Sequence, residues 1–181
     1  MPIHTSALFS NLRELGIDYD YLSNHVLDMF SNGNRSQQLH KLVIHVHGMY
    51  PNHEKIQNQT WRSLVSRNPS LEVTLNLIHS FDGSAGLLDL LQPCMPLSTL
   101  RMFFCGQLKV SAIRFISQHM NNTFKQLQII DGMSDGWGPT FYDDGSETDP
   151  FVMLAWKCKK LTHLTVIGKY FYHYIISNLQ K

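Results

Sequence analysis

The chain has 181 residues of which 43% are apolar, enough for one core and short for two, so a single domain spanning residues 1–181 is expected. Its 15 basic and 14 acidic side chains leave a formal charge of +1, which argues against nucleic acid or an anionic membrane as partner, since both must be held by a large field. No run approaches the ~18 uninterrupted apolar residues of a membrane helix, and residues 1–10 lack the basic and apolar regions of a signal peptide, so a protein of the cytoplasm or nucleus is expected.

In chain order, one pattern recurs six times: apolar, two spacers, apolar, one spacer, apolar. It is carried by Leu12, Leu15 and Ile17, then by Leu39, Leu42 and Ile44. An imperfect third copy holds Leu75 and Leu77 but places Glu72 where the first anchor belongs, which predicts a shifted or bulged strand. Leu97, Leu100 and Met102 form the fourth copy, Phe124, Leu127 and Ile129 the fifth, and Leu161, Leu164 and Val166 the sixth. The central anchors recur every 25 to 37 residues, and most steps match the roughly 20–29 residue period of leucine-rich repeats.

Between these short strands the apolar residues take helical spacing, at Val26, Leu27 and Phe30, at Trp61, Leu64 and Val65, at Leu87, Leu88 and Leu91, at Ile113, Ile116 and Met120, and at Phe151, Leu154 and Ala155. Ser23, Thr60 and Asp149 followed by Pro150 read as helix starts. A last helix is expected over 169–181. Strand followed by helix, six times over, predicts an α/β leucine-rich-repeat solenoid of about six units, truncated at one or both ends, with parallel strands on a concave face and helices on a convex one. A doubly wound α/β domain also alternates strand and helix, but it does not require the repeated leucine lettering.

The segment Trp156-Lys-Cys158-Lys-Lys-Leu161-Thr-His-Leu164-Thr-Val166 resembles the cysteine-containing repeat of F-box proteins, and Pro93-Cys94-Met-Pro96-Leu97-Ser-Thr-Leu100 looks like a second version of it. Trp61-Arg-Ser-Leu64-Val-Ser-Arg-Asn68-Pro69-Ser-Leu71 is similar to the helix-to-strand join of divergent members. The resemblance covers nearly all of the chain. It implies a substrate receptor of a cullin-based ubiquitin ligase, in which the repeats hold a protein target and an F-box binds the Skp1 adaptor. Residues 1–181 contain no F-box, with its Leu-Pro start and Val-Cys-x-x-Trp end, so the adaptor could be reached only through a segment outside this chain. The alternative is a stand-alone repeat scaffold or inhibitor with no ubiquitin role.

If the anchors point inward, the spacers form the binding face, and its centre combines Arg101 and Phe103 with Asn76, Ile78, Gln126, Gln128 and His45, a mixture of the kind enriched at binding hot spots. A second candidate is the acidic, aromatic connection between the fifth and sixth strands, with Trp137, Phe141 and Tyr142. Catalysis, cofactor and metal are not expected. Asp131 and Asp135 begin something like a calcium loop, but its twelfth position holds Tyr142 where a bidentate Glu is required. His45 and His47 lack a third ligand, and Cys94, Cys105 and Cys158 read as reduced structural thiols.

Overall fold

The structure, a computed structural model, describes residues 11–31, 38–50, 52–106, 108–130, 141–142 and 149–167. Six strands form one all-parallel sheet: β1 (Glu14–Asp18), β2 (Lys41–Val46), β3 (Glu72–Ile78), β4 (Leu97–Phe103), β6 (Gln126–Ile130) and β8 (His163–Ile167), hydrogen-bonded in that order. Two further short strands, β5 (Leu108–Lys109) and β7 (Phe141–Tyr142), pair with each other in parallel outside the main sheet. The helices are α1 (Asn24–Ser31), α2 (Asn58–Arg67), α3 (Phe81–Ala85), α4 (Leu87–Leu90), α5 (Val110–His119) and α6 (Pro150–Lys157). The expected helix over 169–181 lies outside the described residues.

The strands occupy the leucine-patterned segments because alternate side chains of a strand reach opposite faces. Leu42, Ile44 and Val46, then Val73, Leu75 and Leu77, then Leu100 and Met102, then Leu127 and Ile129, are all buried on one face together with Trp61, Leu64, Leu87, Ile113, Ile116, Phe151 and Leu154 from the helices. Their strand neighbours Lys41, Val43, His45, Asn76, Ile78, Arg101, Phe103, Gln126, Gln128 and Ile130 keep partial or full exposure on the other face.

The expected leucine-rich-repeat solenoid is corrected by this architecture: the molecule is an α/β fold on a six-stranded parallel sheet, and its connections are not copies of one unit. A 3-10 turn and an eight-residue helix follow β1, one ten-residue helix follows β2, two helices of five and four residues follow β3, and extra strands precede the helices that follow β4 and β6. The recurring leucines therefore report burial on the covered face of a parallel sheet, which any strand in that position needs, whatever connection follows it.

At the imperfect third segment the strand starts on the exposed Glu72, and the register between β3 and β4 shifts between Val73 and Thr74. Val73 is opposite Leu97 and Thr74 opposite Thr99, so Ser98 is the extra residue; its hydroxyl donates to the Val73 carbonyl over 3.1 Å and satisfies an acceptor at the irregularity. Two of the three expected helix starts are present. Ser23 Oγ accepts from Val26 N at 3.2 Å, and Asp149 accepts from Phe151 N at 2.7 Å and Val152 N at 3.1 Å, with Pro150 opening the helix. Thr60 is not a cap: α2 begins earlier, and the Thr60 hydroxyl donates to Asn24 Oδ1 at 2.8 Å.

Asparagines tie successive connections together. Asn68, buried at the end of α2, accepts from Leu39 N at 2.7 Å ahead of β2 and donates to Leu64 O at 2.9 Å and Phe30 O at 3.3 Å. Asn24 accepts from Gln57 N and donates to Lys55 O, and Asn58 accepts from Cys94 N. Replacing Asn68 with Ala leaves the Leu39 N–H buried without a partner, so Asn68→Ala should cost ~3 kcal/mol in urea denaturation, whereas Asn122→Ala at an exposed position should stay within ~0.5 kcal/mol of the parent.

Candidate functional site

The open face is organised in rows that cross the sheet, because parallel strands in register place equivalent residues side by side about 4.8 Å apart. One row runs Asp18, His45, Asn76, Arg101, Gln128, Thr165. The next, toward the C-terminal ends of the strands, is Ile78, Phe103, Ile130, Ile167. On the other side lie Thr74, Thr99, Gln126 and His163. All seven residues expected to form the sheet-borne site are thus on one face, with His45, Asn76, Arg101 and Gln128 in a single row, Ile78 and Phe103 in the apolar row, and Gln126 in the polar one.

Arg101 is positioned by Gln128, whose Oε1 accepts from Nε at 3.0 Å. Across β3 its register partner Asn76 has a buried Oδ1 without a hydrogen-bond partner among the described residues. At the N-terminal ends of the strands the face changes character, with exposed ion pairs Lys41–Glu14 at 3.3 Å and Lys125–Glu72 at 2.5 Å beside an open groove of about 310 Å³ that Lys160 also lines. Pairs this exposed add little to stability.

At the opposite end, His79 and Phe104 directly follow β3 and β4, and both have left-handed backbone, φ 51° and 57°. Their N–H groups continue the ladder by one step, His79 to Phe103 O at 2.9 Å and Phe104 to Ile130 O at 2.8 Å, and then the chain turns away. Their rings stack with centroids 5.2 Å apart. Phe104 is 38% exposed and forms with His79 an aromatic rim just past the ends of β3 and β4. Sequence reasoning missed this rim, since nothing in the lettering marks a left-handed histidine or phenylalanine. A position after the last strand residue, repeated in two neighbouring strands, is the faint signal that was present.

The loop candidates divide. Phe141 and Tyr142 form β7, with Phe141 opposite Leu108 and Tyr142 opposite Lys109, and Trp137 lies outside the described residues.

The cysteines are placed for packing. Cys105 is buried with Sγ 3.3 Å from the carbonyl oxygens of Leu77 and Phe103, to either of which its S–H can donate. Cys158 closes α6, and burial pushes its thiol up to about 11, the opposite of what a nucleophile needs. His47 is exposed and lies 3.4 Å from the Asp18 carboxylate instead of bonding within its turn. Among the described residues no group of three or more His, Cys, Asp or Glu could hold a metal ion, and no helix is long and apolar enough to cross a membrane.

No family model matches the chain. It is similar to F-box only protein 33 of Mus musculus, 27% identical over 165 residues that take in 88% of this chain and 29% of that protein. It is also similar to F-box only protein 33 of Homo sapiens, 25% identical over 166 residues with shares of 88% and 29%. The chain therefore spans less than a third of the length of these curated relatives, and the similarity suggests a distant relation to F-box proteins.

Two measurements check these assignments. His79→Gly and Phe104→Gly remove a strained conformation and one stacking contact together, so each should stay within ~1 kcal/mol of the parent, whereas Leu77→Ala beneath the same rim should cost ~2–5 kcal/mol. The folded Cys158 thiol holds its proton more tightly than an ordinary thiol, whose pKa is 9.0, so its contribution to stability is present below about pH 9 and is lost as the pH climbs toward 11. The Tm of the parent should accordingly fall more steeply over that interval than the Tm of Cys158→Ala.

Proposed function

We propose that the chain is a protein-binding module, not an enzyme, and that it serves as the substrate-recognition part of an SCF-type ubiquitin ligase receptor within the cell. The observation that carries the ubiquitin reading is the similarity to F-box only protein 33 across 88% of the chain, joined to the resemblance of the segments around Trp61, Cys94 and Cys158 to F-box proteins. F-box proteins are generally adaptors, which agrees with cysteines placed for packing. The Skp1–cullin machinery would be engaged through an F-box outside residues 1–181.

The binding surface we propose is the open sheet face centred on Arg101 and Phe103, with Asn76, Ile78, Gln126, Gln128 and His45 around them. A face covered by helices on one side only, carrying an arginine and an aromatic at its centre, has the composition of a binding hot spot. Phe141 and Tyr142, with Trp137 preceding them in the acidic connection, form a second proposed contact.

Proximity labelling in cells tests both parts. The double variant Arg101→Ala/Phe103→Ala should lose the principal labelled proteins while its Tm stays close to the parent, because neither side chain belongs to the buried core. Those proteins should also lengthen in half-life when cullin neddylation is blocked. If they are captured equally by the double variant, the site lies elsewhere and Phe141 and Tyr142 become the candidates; if their turnover ignores the cullin, a plain binding scaffold remains.

A further inference from the structure

Along each strand the rows of the open face are two residues apart, about 6.6 Å at ~3.3 Å per residue. Over β3, β4 and β6 they change chemistry in order: neutral polar at Thr74, Thr99 and Gln126, then Asn76, Arg101 and Gln128, then apolar at Ile78, Phe103 and Ile130. Arg101 is the one cation in these three rows on those strands, and they hold no carboxylate. The acid at the start of β3, Glu72, is already paired with Lys125. The Nε bond to Gln128 holds the guanidinium in place, and beside it the buried Asn76 Oδ1 lacks a donor among the described residues. Beyond the apolar row stands the stacked pair His79 and Phe104, exposed on a backbone conformation that costs ~1–2 kcal/mol per residue relative to ordinary geometry.

We propose that this face takes an extended peptide segment in which an Asp or Glu stands two residues from a large apolar side chain. The carboxylate meets Arg101, and the apolar side chain lies against Phe103, Ile78 and the Phe104 rim. The proposal rests on the reading of the face as a protein-binding surface and adds the chemistry of what it binds.

Three features select this occupant. In an extended chain, side chains two residues apart share a side and are separated by the same ~6.6 Å as the rows. In a helix, side chains two residues apart point to different sides and would not meet both rows at once. A single arginine among neutral amides can hold one carboxylate in a bidentate, charge-assisted contact, but it cannot neutralise the row of phosphates of a nucleic acid.

An array of immobilised 11-residue peptides, probed with the purified 181-residue chain, tests the pattern. Each peptide carries one Phe or Leu and one Asp, one to four residues apart, in a Ser/Thr/Gly background, with matched peptides bearing Asn for Asp. A separation of two should bind best and exceed its Asn counterpart about tenfold, a preference that weakens with added salt. Arg101→Gln should bring Asp down to the level of Asn, and Phe103→Ala should remove binding to both.

Equal binding of Asp and Asn peptides by the parent chain overturns the proposal without any variant, as does a preference for a separation of four, which marks a helical partner. Retention of the acid preference by Arg101→Gln overturns it as well. Binding without acid preference would leave the protein-binding reading intact, and binding of no peptide at all would sink the peptide proposal while the labelling experiment still decides that reading.

Discussion

Parallel strands cannot be joined by tight turns, so each strand of this sheet must send the chain back to its starting end before the next can begin. Here the returns lie over one face. That constraint decides which side chains are apolar, because Leu42, Ile44, Leu75, Leu77, Leu100 and Leu127 are sealed beneath the helices while their neighbours face outward. It also creates a polar problem, since every return ends with main-chain groups under the helix layer that no ladder can pair. Asn68 resolves one such point by bonding the chain before β2, its own helix and the end of the preceding connection at once. A leucine of similar size could fill the space but not supply a donor and an acceptor.

The same constraint leaves the other face of the sheet without a protein layer among the described residues, so its side chains are free to differ from strand to strand. They do so in bands. Ion pairs occupy the N-terminal end, amides and one guanidinium the middle, and isoleucines and phenylalanines the C-terminal end. The gradient is built by register: one Arg at the same depth as Asn76 and Gln128 makes a row, whereas a slip of one residue would send Arg101 into the core. The Ser98 irregularity keeps that register, because it absorbs the extra residue between Leu97 and Leu100 before the central rows begin.

Much of this was legible in the letters. Period-two burial at Leu42/Ile44 and Leu127/Ile129 and the caps Ser23 and Asp149 each follow from local chemistry that a sequence carries openly, whereas the register shift expected at the third segment is present with its extra residue, Ser98, on the neighbouring strand β4. The solenoid expectation went too far because identical lettering in the strands was extended to the connections, where four different arrangements serve the same purpose. Thr60 misled for a related reason: a threonine near a helix start usually caps it, but here its hydroxyl is claimed by Asn24 from a neighbouring segment 36 residues away. Of the candidate site, the rows could be read once the anchors were fixed. The rim could not, because nothing in the letters at positions 79 and 104 marks the left-handed backbone with which the chain leaves β3 and β4.

A face of this kind discriminates by what it leaves unsatisfied. The chain's net charge is only +1, so long-range attraction contributes little to encounter, and one arginine is a modest source of affinity. The penalty for a wrong partner is larger. An uncharged segment laid over β3, β4 and β6 strips water from the Arg101 guanidinium without replacing it. A second cation placed there adds repulsion to the same loss. Specificity in the middle row therefore comes from a guanidinium whose burial is tolerable only under a partner of the right pattern, while the apolar row supplies most of the adhesion to any partner that passes.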